Sequence, residues 1–104
     1  QGAEPVYFHP LHLAAQFGAE NIAAFCVEHG ASVNSVTISK KPQFNNNTPA
    51  HIAALYGQTG IIMILCSTGH QSTRGAFLDI RNGLNQTPED IAREKQDPLA
   101  LDLF

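Results

Sequence analysis

A chain of 104 residues has room for one small domain with a modest core, and 43% hydrophobic against 14% charged residues is a globular balance. The net charge is −3 and Lys40-Lys41 is the only basic doublet, so no positive stripe is available for a phosphate backbone and no nucleic-acid partner is expected. The longest apolar run, Ile61 to Cys66, is far too short to cross a bilayer and no charged-then-apolar leader is seen, so membrane insertion is not expected.

Gln1-Gly2 reads as the remnant of a cleaved tag, set apart from a domain expected over residues 3–104. The first predicted helix opens at Pro10, a first-turn position that needs no N–H, runs through Leu11-His12-Leu13-Ala14-Ala15 and ends at Gly18. A second helix follows, with Ile22, Phe25 and Cys26 at i, i+3, i+4 as its expected buried face, and Gly30 closes it. After an aperiodic stretch the pattern returns. Thr48 suits an N-cap, Pro49 the first helical turn, Gly57 the end, and Ile61, Ile64 and Leu65 form the next stripe before Gly69. Thr87-Pro88 opens a third unit, and Asp97-Pro98 starts a last helix over Leu99 to Phe104 by the same logic.

Pro10, Pro49 and Pro88 stand at a constant spacing of 39 residues, and the alanine pair and both glycines keep register in the first two units. The unit is helix, turn, helix, loop. These residues resemble the ankyrin repeat, marked by Thr-Pro-Leu-His-x-Ala in a period of roughly 33 residues. The resemblance covers about residues 5–104, with repeats at approximately 5–43, 44–82 and 83–104, the last truncated or capping. It implies an all-α solenoid of stacked helix-turn-helix units with projecting, hairpin-like fingers. Asn46 and Asn85 stand where the family pattern usually has glycine, and asparagine is the next most tolerant of a left-handed turn.

The period exceeds the family's, and the two excesses fall in different places: around Ser35 to Phe44 in the first finger, and around His70 to Gly75 behind the fourth predicted helix. His9 replaces the capping threonine in unit one. In unit three, Glu89-Asp90 replaces Leu-His and Gln96 replaces glycine, as suits a polar terminal repeat.

Five histidines raise a metal site. His12 and His51 occupy the repeat's histidine position, which the resemblance assigns to backbone hydrogen bonds between repeats. His29 and His70 flank helix-ending glycines, where an imidazole can satisfy late carbonyls. Cys26 and Cys66 lie in apolar runs without ligand spacing, and read as reduced, buried thiols. No metal or cofactor is expected. Neither a phosphate loop, a nucleophile elbow nor a convincing carboxylate pair occurs, so catalysis is not expected either. Asn46-x-Thr48 and Asn85-x-Thr87 match a glycosylation sequon, which is silent in an intracellular, cytoplasmic protein.

The resemblance implies a protein-binding scaffold whose contacts come from finger tips and from the residues between the alanine pair and the glycine. On this chain the latter are Gln16, Phe17, Leu55, Tyr56, Glu94 and Lys95. The finger positions are Phe8, Ile38, Phe44, Asn45, Asn47, Leu84 and Gln86. Phe17 and Tyr56 have an alternative as inter-repeat stacking, and Ile38 and Phe44 as packing within their own loop. The expected function is therefore a monomeric interaction module for a protein or peptide, or the targeting or regulatory segment of a larger enzyme.

Overall fold

The computed structural model describes residues 9–67 and 79–104. Among them are six short helices and no strand: α1 (Pro10–Phe17), α2 (Glu20–Glu28), α3 (Pro49–Leu55), α4 (Thr59–Ser67), α5 (Pro88–Glu94) and α6 (Pro98–Leu103). Gln1-Gly2, expected to be a tag remnant, Phe8, Gly69, His70 and the insertion expected around residues 70–75 lie outside the described residues.

The start and stop signals act as the residue types require. Thr48 and Thr87 hold extended backbone and accept a hydrogen bond from the third residue of α3 and α5, His51 and Asp90. Asp97 caps α6 by accepting from the Ala100 N–H at 3.2 Å. At the far ends, the N–H groups of Ala19, Gln58 and Asp97 reach back to the carbonyls of Ala14, Ala53 and Ala92 at 3.0, 2.9 and 3.1 Å. Each bond needs the preceding residue in the left-handed region, and Gly18, Gly57 and Gln96 sit there with φ of 69°, 68° and 55°. Gln96 reproduces the turn without glycine, at a local cost of roughly 1–2 kcal/mol. Asn46 and Asn85 also adopt positive φ, 60° and 62°.

The helices stack in two rows. α1 packs on α3 and α3 on α5, while α2 packs on α4 and α4 on α6. Ala14, Ala15, Ala53, Ala54 and Ala92 are buried between rows and units, where a larger side chain would hold the helices apart. Leu11, Ile61, Ile62 and Leu65 supply the largest fully buried apolar side chains of the core. The third pair, α5–α6, joins the stack on the same contacts as the first two.

One expectation fails. Of the stripe Ile22, Phe25 and Cys26, only Cys26 packs against the core, half-buried; Ile22 and Phe25 are exposed. α2 instead buries Ala23 and Val27, the residues that face its neighbours in the stack. Phe25 stacks on His29, whose Nδ1–H donates to the Phe25 carbonyl at 2.8 Å, so this histidine does satisfy a late carbonyl. Both cysteines are free and half-buried.

Candidate functional site

The first finger is organised by Thr37. Its N–H donates to the Asn47 carbonyl at 2.9 Å, and its carbonyl accepts from the Asn46 N–H at 2.8 Å, closing the loop at its base. The Thr37 hydroxyl donates across the loop to the Phe44 carbonyl at 2.7 Å and accepts from the Asn47 N–H at 3.0 Å. The inserted residues inside this closure wind into a 3-10 turn at Pro42–Phe44, a proline-initiated fold-back that presents Phe44.

The two fingers are locked together. Asn82 Nδ2 donates to Asn47 Oδ1 at 2.9 Å, Gly83 N–H to the Asn45 carbonyl at 2.8 Å, and Asn46 Nδ2 to the Arg81 carbonyl at 2.7 Å. A Cβ on Gly83 would collide with the Pro42 carbonyl, so glycine is what lets the second finger approach the first.

His12 and His51 tie helices to fingers. His12 Nδ1 accepts from the His9 N–H at 2.8 Å while Nε2 lies 2.9 Å from the Ser35 carbonyl. His51 Nδ1 accepts from the Thr48 N–H at 3.0 Å while Nε2 lies 2.8 Å from the Gln86 carbonyl. A ring that accepts at Nδ1 and faces a carbonyl at Nε2 is the neutral Nε2–H form. Burial pushes both pKa values below the ordinary 6.5, in keeping with that neutral state. Asp90 holds the equivalent place in unit three, accepting from the Thr87 N–H at 3.0 Å. That bond, above all, lowers the Asp90 pKa, helped by Arg81 and Arg93. A carboxylate has no N–H to donate onward, so the bridge to a following finger is lost at this position.

Between finger and helices lies an open hollow of about 280 Å3, lined by Gln16 of α1, Ile52 and Leu55 of α3, Tyr56, and Gln43 and Phe44 of the 3-10 turn, over a floor of His12, Thr37 and Asn47. Five of the predicted contact residues therefore meet here: Gln16, Phe44, Asn47, Leu55 and Tyr56. Asn47 is buried and its amide is fully engaged, Nδ2 with the Gln43 carbonyl and Oδ1 with Asn82, so it builds the wall rather than offering a free group. Phe17 stands outside the hollow, 71% exposed, and Tyr56 is 51% exposed. Among the described residues their rings make no stacking contact, so neither is inter-repeat core. Ile38 is exposed at the finger and Leu84 at the second finger, both away from the hollow, and Phe44 is only partly covered. Asn45 and Gln86 are half-buried, with Asn45 Oδ1 accepting from Ser39 N–H and Gln86 Nε2 donating to Glu94. Glu94 and Lys95 are exposed on the third unit, and Lys95 lines a second, neighbouring hollow that shares Leu55 and Tyr56 with the first. Ile52, Gln43 and Thr37 were not singled out by sequence. Thr37 and Gln43 do fall inside the stretch around Ser35 to Phe44 that the sequence marks as an insertion.

No group of three or more His, Cys, Asp or Glu that could hold a metal occurs among the described residues, and none of their helices is long and apolar enough to cross a membrane.

A family model described as ankyrin repeats (3 copies) matches residues 5–76. The chain is 33% identical over 97 residues to a Danio rerio protein named "Putative palmitoyltransferase ZDHHC13", a match covering 91% of this chain and 13% of that protein. It is 43% identical over 51 residues to "Calmodulin-binding transcription activator 4" of Arabidopsis thaliana, covering 49% of this chain and 5% of that protein. The chain thus spans about an eighth or less of the length of these relatives. Repeat spacing, paired-helix stacking and the family match agree: the chain belongs to the ankyrin-repeat family.

Proposed function

We propose that this chain is a non-catalytic recognition module, and that the hollow beside the Thr37–Asn47 finger takes up a short segment of a partner protein. Ankyrin repeats generally serve as protein–protein interaction modules. The observation that carries the reading here is the joining of Phe44, Ile52, Leu55 and Tyr56 into one apolar wall on otherwise separate elements. Its volume of about 280 Å3 has room for an inserted apolar side chain. Aromatic side chains in such a wall are the usual hot spots of an interface. On this reading the module works as an intracellular monomer with both thiols reduced, which the two free cysteines support.

The test is selection of a random peptide library on the immobilised chain. Selected peptides are expected to lose about thirtyfold in affinity or more, roughly 2 kcal/mol, with Phe44→Ala/Tyr56→Ala, while the thermal melt shifts little. Peptides that bind the double variant as well as the parent would place recognition elsewhere.

A second reading is favoured by the 91% coverage of this chain in its match to the Danio rerio protein. On that reading the repeats of this chain are the targeting or regulatory segment of a larger enzyme. Deleting them from a full-length protein that carries them is expected to spare turnover of a small substrate and reduce that of a protein substrate; equal loss of both would count against it.

A further inference from the structure

Resting on the hollow as a peptide site, we infer that its ligand is an extended segment with one or two large apolar residues adjoined by acidic residues on the Lys40–Lys41 side. The two hollows adjoin across Leu55 and Tyr56, so together they form one track. Lys40 and Lys41 lead into the 3-10 turn that lines one end of it, and the Lys41 carbonyl accepts from the Phe44 N–H at 2.9 Å, which holds the Lys41 backbone beside Phe44. Lys95 lines the other end. All three lysines are exposed, and none is ion-paired among the described residues. The arginines differ. Arg81 and Arg93 are paired with Glu89 and Asp90 on α5.

In a chain of net charge −3, the described acidic groups other than Asp97 line neither hollow. Glu20 and Glu28 are on α2, in the other row of helices. Asp97 is the one acid lining either hollow, and it holds the Ala100 N–H as the cap of α6; Glu94 accepts from Gln86. Lys95 therefore has the Asp97 carboxylate with it in the same hollow, and the uncompensated positive charge lies at the Lys40–Lys41 end, the complement of a segment whose apolar residues adjoin acidic ones on that side. The side chains of Gln16, Gln43 and Tyr56 line the hollow and enter no hydrogen bond among the described residues. Two amides and a phenol offer both donors and acceptors, which is what the backbone of an extended peptide needs.

The experiment uses three fluorescein-labelled hexapeptides sharing one scaffold: a Leu-Phe centre with acidic flanks, the same centre with lysine flanks, and a Ser-Ser centre with acidic flanks. Fluorescence polarisation is expected to rank the acidic Leu-Phe probe at least tenfold above both others. Raising salt from 50 to 500 mM is expected to shrink its advantage over the lysine-flanked probe. Lys40→Glu/Lys41→Glu, both exposed and outside the core, should reverse the preference toward the lysine-flanked probe with an unchanged melt. Equal binding of the two Leu-Phe probes, lost in Phe44→Ala, overturns the charge inference and leaves the apolar hollow standing. Binding of neither, or binding indifferent to Phe44→Ala, overturns the hollow itself. Self-association removed by Phe44→Ala would put a second copy of this chain on the track and overturn the inference as well.

Discussion

Ile22 and Ile61 hold the same place in consecutive units, 39 residues apart, yet Ile22 is 55% exposed and Ile61 wholly buried. The same contrast holds at the unit's entrance, where His9 and Pro10 are exposed while Thr48 and Pro49 are buried. The helices α3 and α4 are packed on both sides, by α1 and α2 and by α5 and α6; the described contacts of α1 and α2 lie on one side only. A solenoid position thus has no intrinsic energetic weight. Its neighbour assigns it, which is why stability in such arrays divides into unit terms and interface terms.

The contrast can be broken most sharply at the isoleucines. Ile61→Ala is expected to cost about 3–4 kcal/mol in a urea melt, the transfer term plus an unfilled cavity, while Ile22→Ala should stay within about 0.5 kcal/mol. Similar losses from both would mean that the outer face of α2 is covered in solution. A smaller effect belongs to the finger junction. Gly83→Ala should cost about 1–3 kcal/mol, because the added methyl meets the Pro42 backbone rather than a movable side chain. Faster amide exchange at Gly83 and Asn46 would accompany that loss, and unchanged exchange at both would show that the fingers are not coupled.

Acid provides a third probe, and it acts on the buried histidines. The unfolded chain takes up protons on His12 and His51 near pH 6.5, whereas the folded protein resists until its lowered pKa values are reached. Stability is therefore full above pH 6.5 and falls as pH is lowered through the interval beneath it. Asp90 acts in a separate, lower window: its pKa lies below the ordinary 3.8, so its contribution is present above that value and fades only beneath it. Melting temperatures at pH 8, 6 and 5 should show the histidine decline, and His51→Gln should flatten it; a melt independent of pH over that range would contradict the buried neutral rings. The smallest effect is expected at Phe25→Ala, under about 0.5 kcal/mol, since the ring lies on the exposed face of α2 against His29.

Much of this architecture was legible from residue types that act locally. First-turn prolines, joined by threonine caps at α3 and α5, set where α1, α3 and α5 start, left-handed glycines set where α1 and α3 stop, and Asn46 and Asn85 announced their turns for the same reason. The buried face of α2 was not legible. Ile22 and Phe25 are more apolar than Ala23, but a periodicity reports hydrophobicity and not which side carries a neighbour. In the candidate site, Gln16, Phe44, Leu55 and Tyr56 could be read from their places in the repeat. Thr37 could not. Its importance comes from closing an inserted loop upon itself, a role that no spacing within the repeat encodes.

That closure governs what binding at the finger demands of the chain. An 11-residue loop such as Thr37–Asn47, were it flexible, would surrender backbone freedom on capture, at roughly 1–2 kcal/mol for each residue fixed. Here the loop is already cross-tied through the Thr37 hydroxyl and bolted to its neighbour through Asn47 and Asn82, before any ligand arrives. Little entropy remains to be lost on the protein side. Among ligands of like charge, differences should then appear mainly in the dissociation rate, with association rates nearly alike.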